Sequence, residues 1–395
     1  MKIKIIFKNI LLILFLFSII YDVAITKIKY LSSAKVSFLI LLILYLINGN
    51  RGKVFLFSSF LKLLIFIFIY SLLLSLYSND YVQTFRIFYF ISYAILSSYF
   101  LTFYIKNTSS FLFLFHSAVF IQACILIISF LDINFKTYII STFNIGYRGS
   151  ANYIYRAIGL SSYSGAAIAL IQGIGFYTFY KLYNMYNNIY KKLFLIISFL
   201  IIFISIIITG RTGLFFIILY YIYLLIIGKI NFFKSLFLLS LTILSLFIFV
   251  EIIINKFIPI FNIGYLYSWI LNGFDNVDNK SALNLFDFRY LDNFDLTTFL
   301  IGTGRVYSFS GLANASGSDI GYIQTFYALG IIFTTLFYSF LFFTLLKYKN
   351  SEHNIDLSFL ILILFFVEIK EPFIFKYALP FFIFTLVNIN ILNKK

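Results

Sequence analysis

An arginine stands between two glycines in the stretch I-S-I-I-I-T-G-R-T-G-L over 204–214, with a hydrophobic run on either side. Each run is about as long as a bilayer crossing, so Arg211 is expected at the tip of a membrane hairpin, where a guanidinium needs water or an anion. Arg148 and Arg156 precede Ile158-Gly159-Leu160-Ser161-Ser162-Tyr163-Ser164-Gly165, a small-residue helix start that suits either an anion cradle or close helix packing. Arg289 lies in the mixed apolar and charged stretch 283–291, which reads as a short amphipathic helix on the membrane face. Gly302-Thr303-Gly304-Arg305 and Ser318-Asp319-Ile320-Gly321-Tyr322 flank a polar stretch that leads into another apolar run. Asp319 reads either as a charge favoured by a helix N-terminus or as a carboxylate able to take a proton. Glu251, near the outer end of the apolar run 232–256, is an acid inside an apolar run on the same side.

The chemistry these residue types allow is narrow. Arginines hold phosphate oxygens in bidentate contacts and stay charged, so several beside lipid suit a pyrophosphate on a lipid carrier. A nearby carboxylate would deprotonate an acceptor hydroxyl, and the reaction class is glycosyl transfer with lipid pyrophosphate as leaving group. Arg148, Arg156, Arg211, Arg289, Arg305 and Tyr322 are the candidate substrate-binding residues, and Asp319, Arg211 and Glu251 the candidate catalytic ones. No cofactor and no metal is expected. Cys124 is the single cysteine, which leaves no disulfide within the chain, and His116 and His353 are too few for a zinc site. Gly302-Thr303-Gly304 does not follow a strand-to-helix nucleotide-binding pattern.

The elements that must position these residues are membrane helices. Over 395 residues, 62% are hydrophobic and 11% charged, where a soluble domain runs nearer 45–50% and 25%. The fold class is an all-α polytopic integral membrane protein, read as a single membrane domain over 1–395 with about twelve transmembrane helices. The apolar segments fall near 9–20, 36–48, 54–78, 85–105, 111–131, 160–180, 193–209, 212–228, 232–256, 320–346, 357–369 and 373–391. The eleventh is short and ends in Glu368-Ile369-Lys370-Glu371-Pro372, so it reads as a partial span or a hairpin tip. The first has no small-residue cleavage site after it and is read as an uncleaved helix. The 55 Phe and 32 Tyr against one Trp match AT-rich coding more than sugar stacking.

Twelve spans put both termini on one side. The stretches on that side hold 15 of the 30 Lys and Arg but only two acids, Glu352 and Asp356, which makes it cytoplasmic. Lys27, Lys29 and Lys35 run against this bias. The net charge of +16 therefore reports topology rather than nucleic-acid binding. Two sizeable outer loops result, 132–159 and 257–319, the second between helices 9 and 10. Of the ionisable residues inside apolar runs, His116 and Lys62 lie toward the cytoplasmic side, away from the arginines.

With these motifs in order, the chain resembles the bacterial O-antigen polymerases, within the O-antigen ligase and polymerase superfamily. The residues that carry the resemblance are Arg156-Ala157-Ile158-Gly159-Leu160, Thr209-Gly210-Arg211-Thr212-Gly213-Leu214, Ile301-Gly302-Thr303-Gly304 and Asp319-Ile320-Gly321-Tyr322-Ile323, leading on to Leu329-Gly330-Ile331. The resemblance implies that oligosaccharide repeat units on undecaprenyl pyrophosphate are joined into O-antigen or a related surface polysaccharide at the periplasmic face of the inner membrane. Donor and acceptor would both be lipid-linked, with membrane lipid as surroundings and a chain-length regulator protein as a further candidate partner. Arg148 and Gly159 have a loop spacing that some members share, whereas Arg289 to Gly302 is longer by two residues. The ligase branch has a histidine eleven residues before a glycine at the span after the large loop. Counted back from Gly330 that place is Asp319, and the loop holds no histidine.

Two other readings stand beside the polymerase. A ligase-type glycan transferase lacks its histidine here. A flippase or transporter of lipid-linked glycans would show paired repeats and ionisable or broken helices near the membrane midplane, which the sequence does not display.

Overall fold

The computed structural model describes residues 2–24, 31–48, 57–143, 157–163, 165–229, 294–308, 314–348 and 356–392. Among these the chain is helical, with two isolated β-bridges, Ala24 to Ser32 and Tyr307 to Asn314. Five helices are long and apolar enough to cross a membrane: Ser58–Ser78, Val82–Leu101, Thr108–Leu131, Ile189–Thr209 and Gly321–Leu346. Each has 20 or more residues and so reaches about 30 Å, the depth of a hydrocarbon core. Their outward faces carry Phe66, Leu73, Leu76, Ile197 and Phe343, a surface that lipid accepts and water does not. Shorter apolar helices cover Ile6–Tyr21, Ser33–Ile47, Arg211–Ile226, Leu357–Val367 and Ala378–Ile391. The segment 232–256 and most of the loop 257–319 lie outside the described residues.

The chain divides into two compact units. The first comprises Met1–Ile40 and Asn107–Asp275. Its helices are α1 (Lys2–Tyr21), the start of α2 (Ser33–Asn48), and, after α3 (Ser58–Ser78) and α4 (Val82–Leu101) of the other unit, α5 (Thr108–Leu131), α6 (Ile133–Thr142), α7 (Gly165–Met185), α8 (Ile189–Thr209) and α9 (Arg211–Ile226). Polar caps set the helix starts: Asp132 accepts from the amides of Asn134 and Phe135, and Asn188 from those of Tyr190 and Lys191. The loop expected over 132–159 therefore begins with a ten-residue helix, α6. His116 is wholly buried where α5, α7 and α8 meet, its ring 2.7 Å from the Ser198 hydroxyl and 3.1 Å from that of Thr178. That is polar glue between helices, worth about 1 kcal/mol per contact in a membrane, and it accounts for the residue without a reaction.

The second unit comprises Leu41–Lys106 and Asn276–Lys395. It contains α3 (Ser58–Ser78), α4 (Val82–Leu101, with a π-helical turn over Phe90–Leu96), α10 (Leu296–Leu300), α11 (Gly321–Leu346), α12 (Leu357–Val367) and α13 (Ala378–Leu392). The expected tenth span is not one continuous helix. Gly330, at φ 73° and ψ 170°, breaks α11 into two pieces. The amides of Thr303 and Gly304 fill the gap, donating to the carbonyls of Tyr327 and Ala328 at 2.9 Å each. The helix can break inside an apolar environment because the Gly302–Gly304 loop satisfies the carbonyls that the break exposes. The short eleventh segment is an 11-residue helix ending at Val367, followed by a 3-10 turn at Ile374–Lys376.

Candidate functional site

In the first unit two of the motifs meet. The Ala157 amide donates to the Ile208 carbonyl at 3.0 Å, and the Ile158 amide to the Ser129 hydroxyl at 3.1 Å. The stretch that follows Arg156 thus lies against the helix end that precedes Arg211. Arg211 is exposed and opens α9, directly after Gly210. The glycines beside it have another task. A Cβ on Gly213 would run into the carbonyl of Ala169 on α7, and one on Gly210 would lie 3.3 Å from the Ala169 Cβ and the Gly165 carbonyl. Both glycines let the α8–α9 hairpin close onto α7. Arg148 and Arg156 themselves lie outside the described residues, as do Glu251 and Arg289. Lys136, in α6, is buried, and burial pushes its ammonium down to about 8.

The second unit gathers a denser polar group. Arg305, Asp319 and Tyr322 all belong to it. The Val306 and Tyr307 amides donate to one oxygen of Asp80 at 2.9 and 3.2 Å, and the Ala315 amide returns to the Val306 carbonyl at 2.9 Å. This pins the chain that carries Arg305 to the loop between α3 and α4. Asp319 is exposed, and its Oδ1 accepts from the Asn314 side chain at 2.6 Å. It does not cap α11: the cap residue is Ile320, and no side chain serves the first turn. Tyr322 uses its hydroxyl on the Phe365 carbonyl at 2.7 Å, which makes it a tie between α11 and α12.

Asp295, fully exposed at the start of α10, is held ionised. Hydrogen bonds from the Thr297 hydroxyl and from Thr298 hold its carboxyl down at about 2.

Two ionisable residues join this group that sequence reasoning passed over. Arg86, in the first turns of α4, is set deep among protein atoms with part of its surface open. Its Nη1 donates to Gln324 Oε1 at 3.2 Å. Glu368, wholly buried just after α12, accepts from the Tyr338 hydroxyl and the Ile374 amide at 2.8 Å each. Gly321 leaves room for it, since a Cβ there would meet the Glu368 carboxylate and Pro372. A lone arginine entering the apolar run 85–105 was the available signal for the first. Among the described residues no cluster of three or more histidine, cysteine or acidic side chains is arranged to hold a metal.

No protein-family model, curated protein or solved structure matches the chain.

Proposed function

We propose that the chain is a glycosyltransferase of the membrane, a polymerase that joins oligosaccharide repeat units carried on undecaprenyl pyrophosphate at the periplasmic face of the bacterial inner membrane. The observation that supports it is the group at the head of α11. There a broken helix, the Gly302–Gly304 loop, Arg305, Asp319 and Arg86 concentrate guanidinium and carboxylate beside apolar helices within one unit. In this reading the acceptor hydroxyl attacks the anomeric carbon of the donor glycan. The bond from that carbon to the pyrophosphate oxygen breaks, and the lipid pyrophosphate leaves. Asp319 takes the hydroxyl proton, with Oδ1 fixed by Asn314 and its other oxygen uncommitted among the described residues. Arginines neutralise the leaving pyrophosphate. The assignment includes both termini in the cytoplasm and the loop 257–319 outside.

Deletion of the gene with gel analysis of surface glycan tests the reading. Loss of a polymerase leaves a single repeat unit on the acceptor, and loss of a ligase leaves none. An unchanged ladder refutes both.

One observation favours the transporter reading more than the sequence did: α11 is broken at Gly330, and broken helices line transporter sites. Elongation of lipid-linked repeat units by the purified protein alone separates the two, because a transporter makes no glycosidic bond.

A further inference from the structure

Arg86 is a charged side chain most of whose donors the described residues leave open. A guanidinium has five N–H donors. One goes to Gln324, and among the described residues Arg86 makes no other hydrogen bond and no ion pair. Two acids belong to its electrostatic neighbourhood, Asp80 and Glu368, together with Tyr307 and Tyr338. Neither acid is paired with it. Asp80 gives one oxygen to the Val82 amide and the other to the amides of Val306 and Tyr307. Glu368 gives its two oxygens to Tyr338 and Ile374.

Gln324 is held in one orientation. Its Nε2 donates to the carbonyls of Ser318 and Asp319 at 3.2 and 3.3 Å, which leaves Oε1 to accept from Arg86. The guanidinium is thus aimed, from α4, at the same stretch that carries Asp319. A recessed arginine with a fixed orientation, open donors and no carboxylate in hydrogen-bond contact leaves its remaining donors for an anion to complete. Planar paired donors match phosphate oxygens better than they match a point charge.

We infer that Arg86, oriented by Gln324, is an anion-binding residue that takes a phosphate group of a diphosphate ester. The inference rests on the polymerase reading for the lipid carrier, and it adds to the site a guanidinium from α4. Exposed Tyr307 stands in the same neighbourhood.

The test is thermal melting of the purified full chain in detergent with four additives: farnesyl diphosphate, inorganic diphosphate, farnesol and phosphatidylglycerol. Farnesyl diphosphate is expected to raise the melting temperature of the wild type, and farnesol to leave it unchanged. Arg86→Gln should weaken apparent diphosphate binding by about tenfold or more, the ordinary worth of a charged hydrogen bond. Arg86→Lys, which keeps the charge and loses the fork, should fall between. If Arg86→Gln does not fold, Gln324→Ala removes the orienting contact with the charge in place and should also weaken binding. A wild-type response in Arg86→Gln and Gln324→Ala overturns the inference, as does a wild type indifferent to either diphosphate. An equal Arg86-dependent shift with phosphatidylglycerol overturns it too, because the residue then reads bulk lipid headgroups. The polymerase reading is judged separately. A gene deletion that leaves the glycan ladder intact removes that reading and leaves an Arg86-dependent diphosphate site standing. A lost ladder with normal polymer from Arg86→Gln removes only this site.

Discussion

Gly302 lies against Gly330 with no room for a side chain on either residue. A Cβ on Gly302 would collide with the Gly330 amide, and one on Gly330 with the carbonyl of Leu300. Both have positive φ, 87° and 73°. The two glycines are 28 positions apart in sequence and form one joint, by which the end of the large loop locks into the break of α11. The hydroxyl of Thr303 adds a third bond, donated to the Tyr327 carbonyl at 3.1 Å.

That joint gives a first prediction. Gly330 has φ 73° and ψ 170°, a region that side-chain-bearing residues enter only at roughly 1–3 kcal/mol. The atoms a Cβ would meet are backbone and cannot swing aside. Gly228 is the comparison: its φ is 71°, but among the described residues nothing lies within 4 Å of the added carbon. Gly228→Ala should therefore lower stability by about 1–2 kcal/mol from backbone strain alone. Gly330→Ala should lower it clearly more, or abolish folding. Melting curves of both variants in detergent decide it; equal losses would mean that the joint is not tight.

A second contrast separates Arg211 from the glycine two positions on. Arg211 is exposed at the first residue of α9, whereas Gly213 is buried against α7. Arg211→Ala should insert and melt like the wild type yet make only single-unit product, and Arg211→Lys should recover part of the polymer. Gly213→Ala should instead lower the melting temperature, because the Ala169 carbonyl and the Ile206 methyl must both move. Normal long chains from Arg211→Ala would return this residue to an ordinary interfacial arginine.

Much of this was legible from local sequence, and the remainder depended on partners far along the chain. The apolar runs near 54–78, 111–131 and 193–209 became helices, because twenty apolar residues in a helix satisfy their own backbone hydrogen bonds. The hairpin tip at Gly210 was visible as well. The break at Gly330 was not, since a glycine inside an apolar run also reads as ordinary close packing. Its cause is the loop at 302–304, which supplies two amides. The pairing of Arg86 with Gln324, 238 positions later, and of Glu368 with Tyr338 likewise depended on which helices became neighbours. A histidine in an apolar run gave the opposite result: His116 carried the signal of a functional site and is spent on helix packing.

A third prediction concerns metal ions. If guanidinium groups neutralise the leaving pyrophosphate, the role a divalent ion would play is already filled. Elongation in vitro is expected to continue in excess chelator at an unchanged rate. An absolute requirement for added magnesium or manganese would show that the leaving group is handled by different chemistry.

The last prediction concerns Asp319, which stands directly before the cap of α11 without capping it. A capping carboxylate would accept from amides of the first turn of α11; instead Ile320 occupies the cap, and Asp319 Oδ1 accepts from Asn314. Its backbone carbonyl also holds Gln324, the residue that orients Arg86, so the base candidate and the recessed guanidinium share one mount. Asp319→Asn preserves shape and keeps an oxygen for Asn314, so the fold and the Gln324 contact should survive. A general base typically contributes about 10²–10⁴-fold in rate, so the mutant should bind lipid-linked donor normally and elongate it slower by that factor. Elongation assays at matched protein concentration, with donor binding measured alongside, provide the readout. Chain lengths close to wild type from Asp319→Asn would end its assignment as the base. Glu251 and the carboxylates of 275–295 would then be the next to replace.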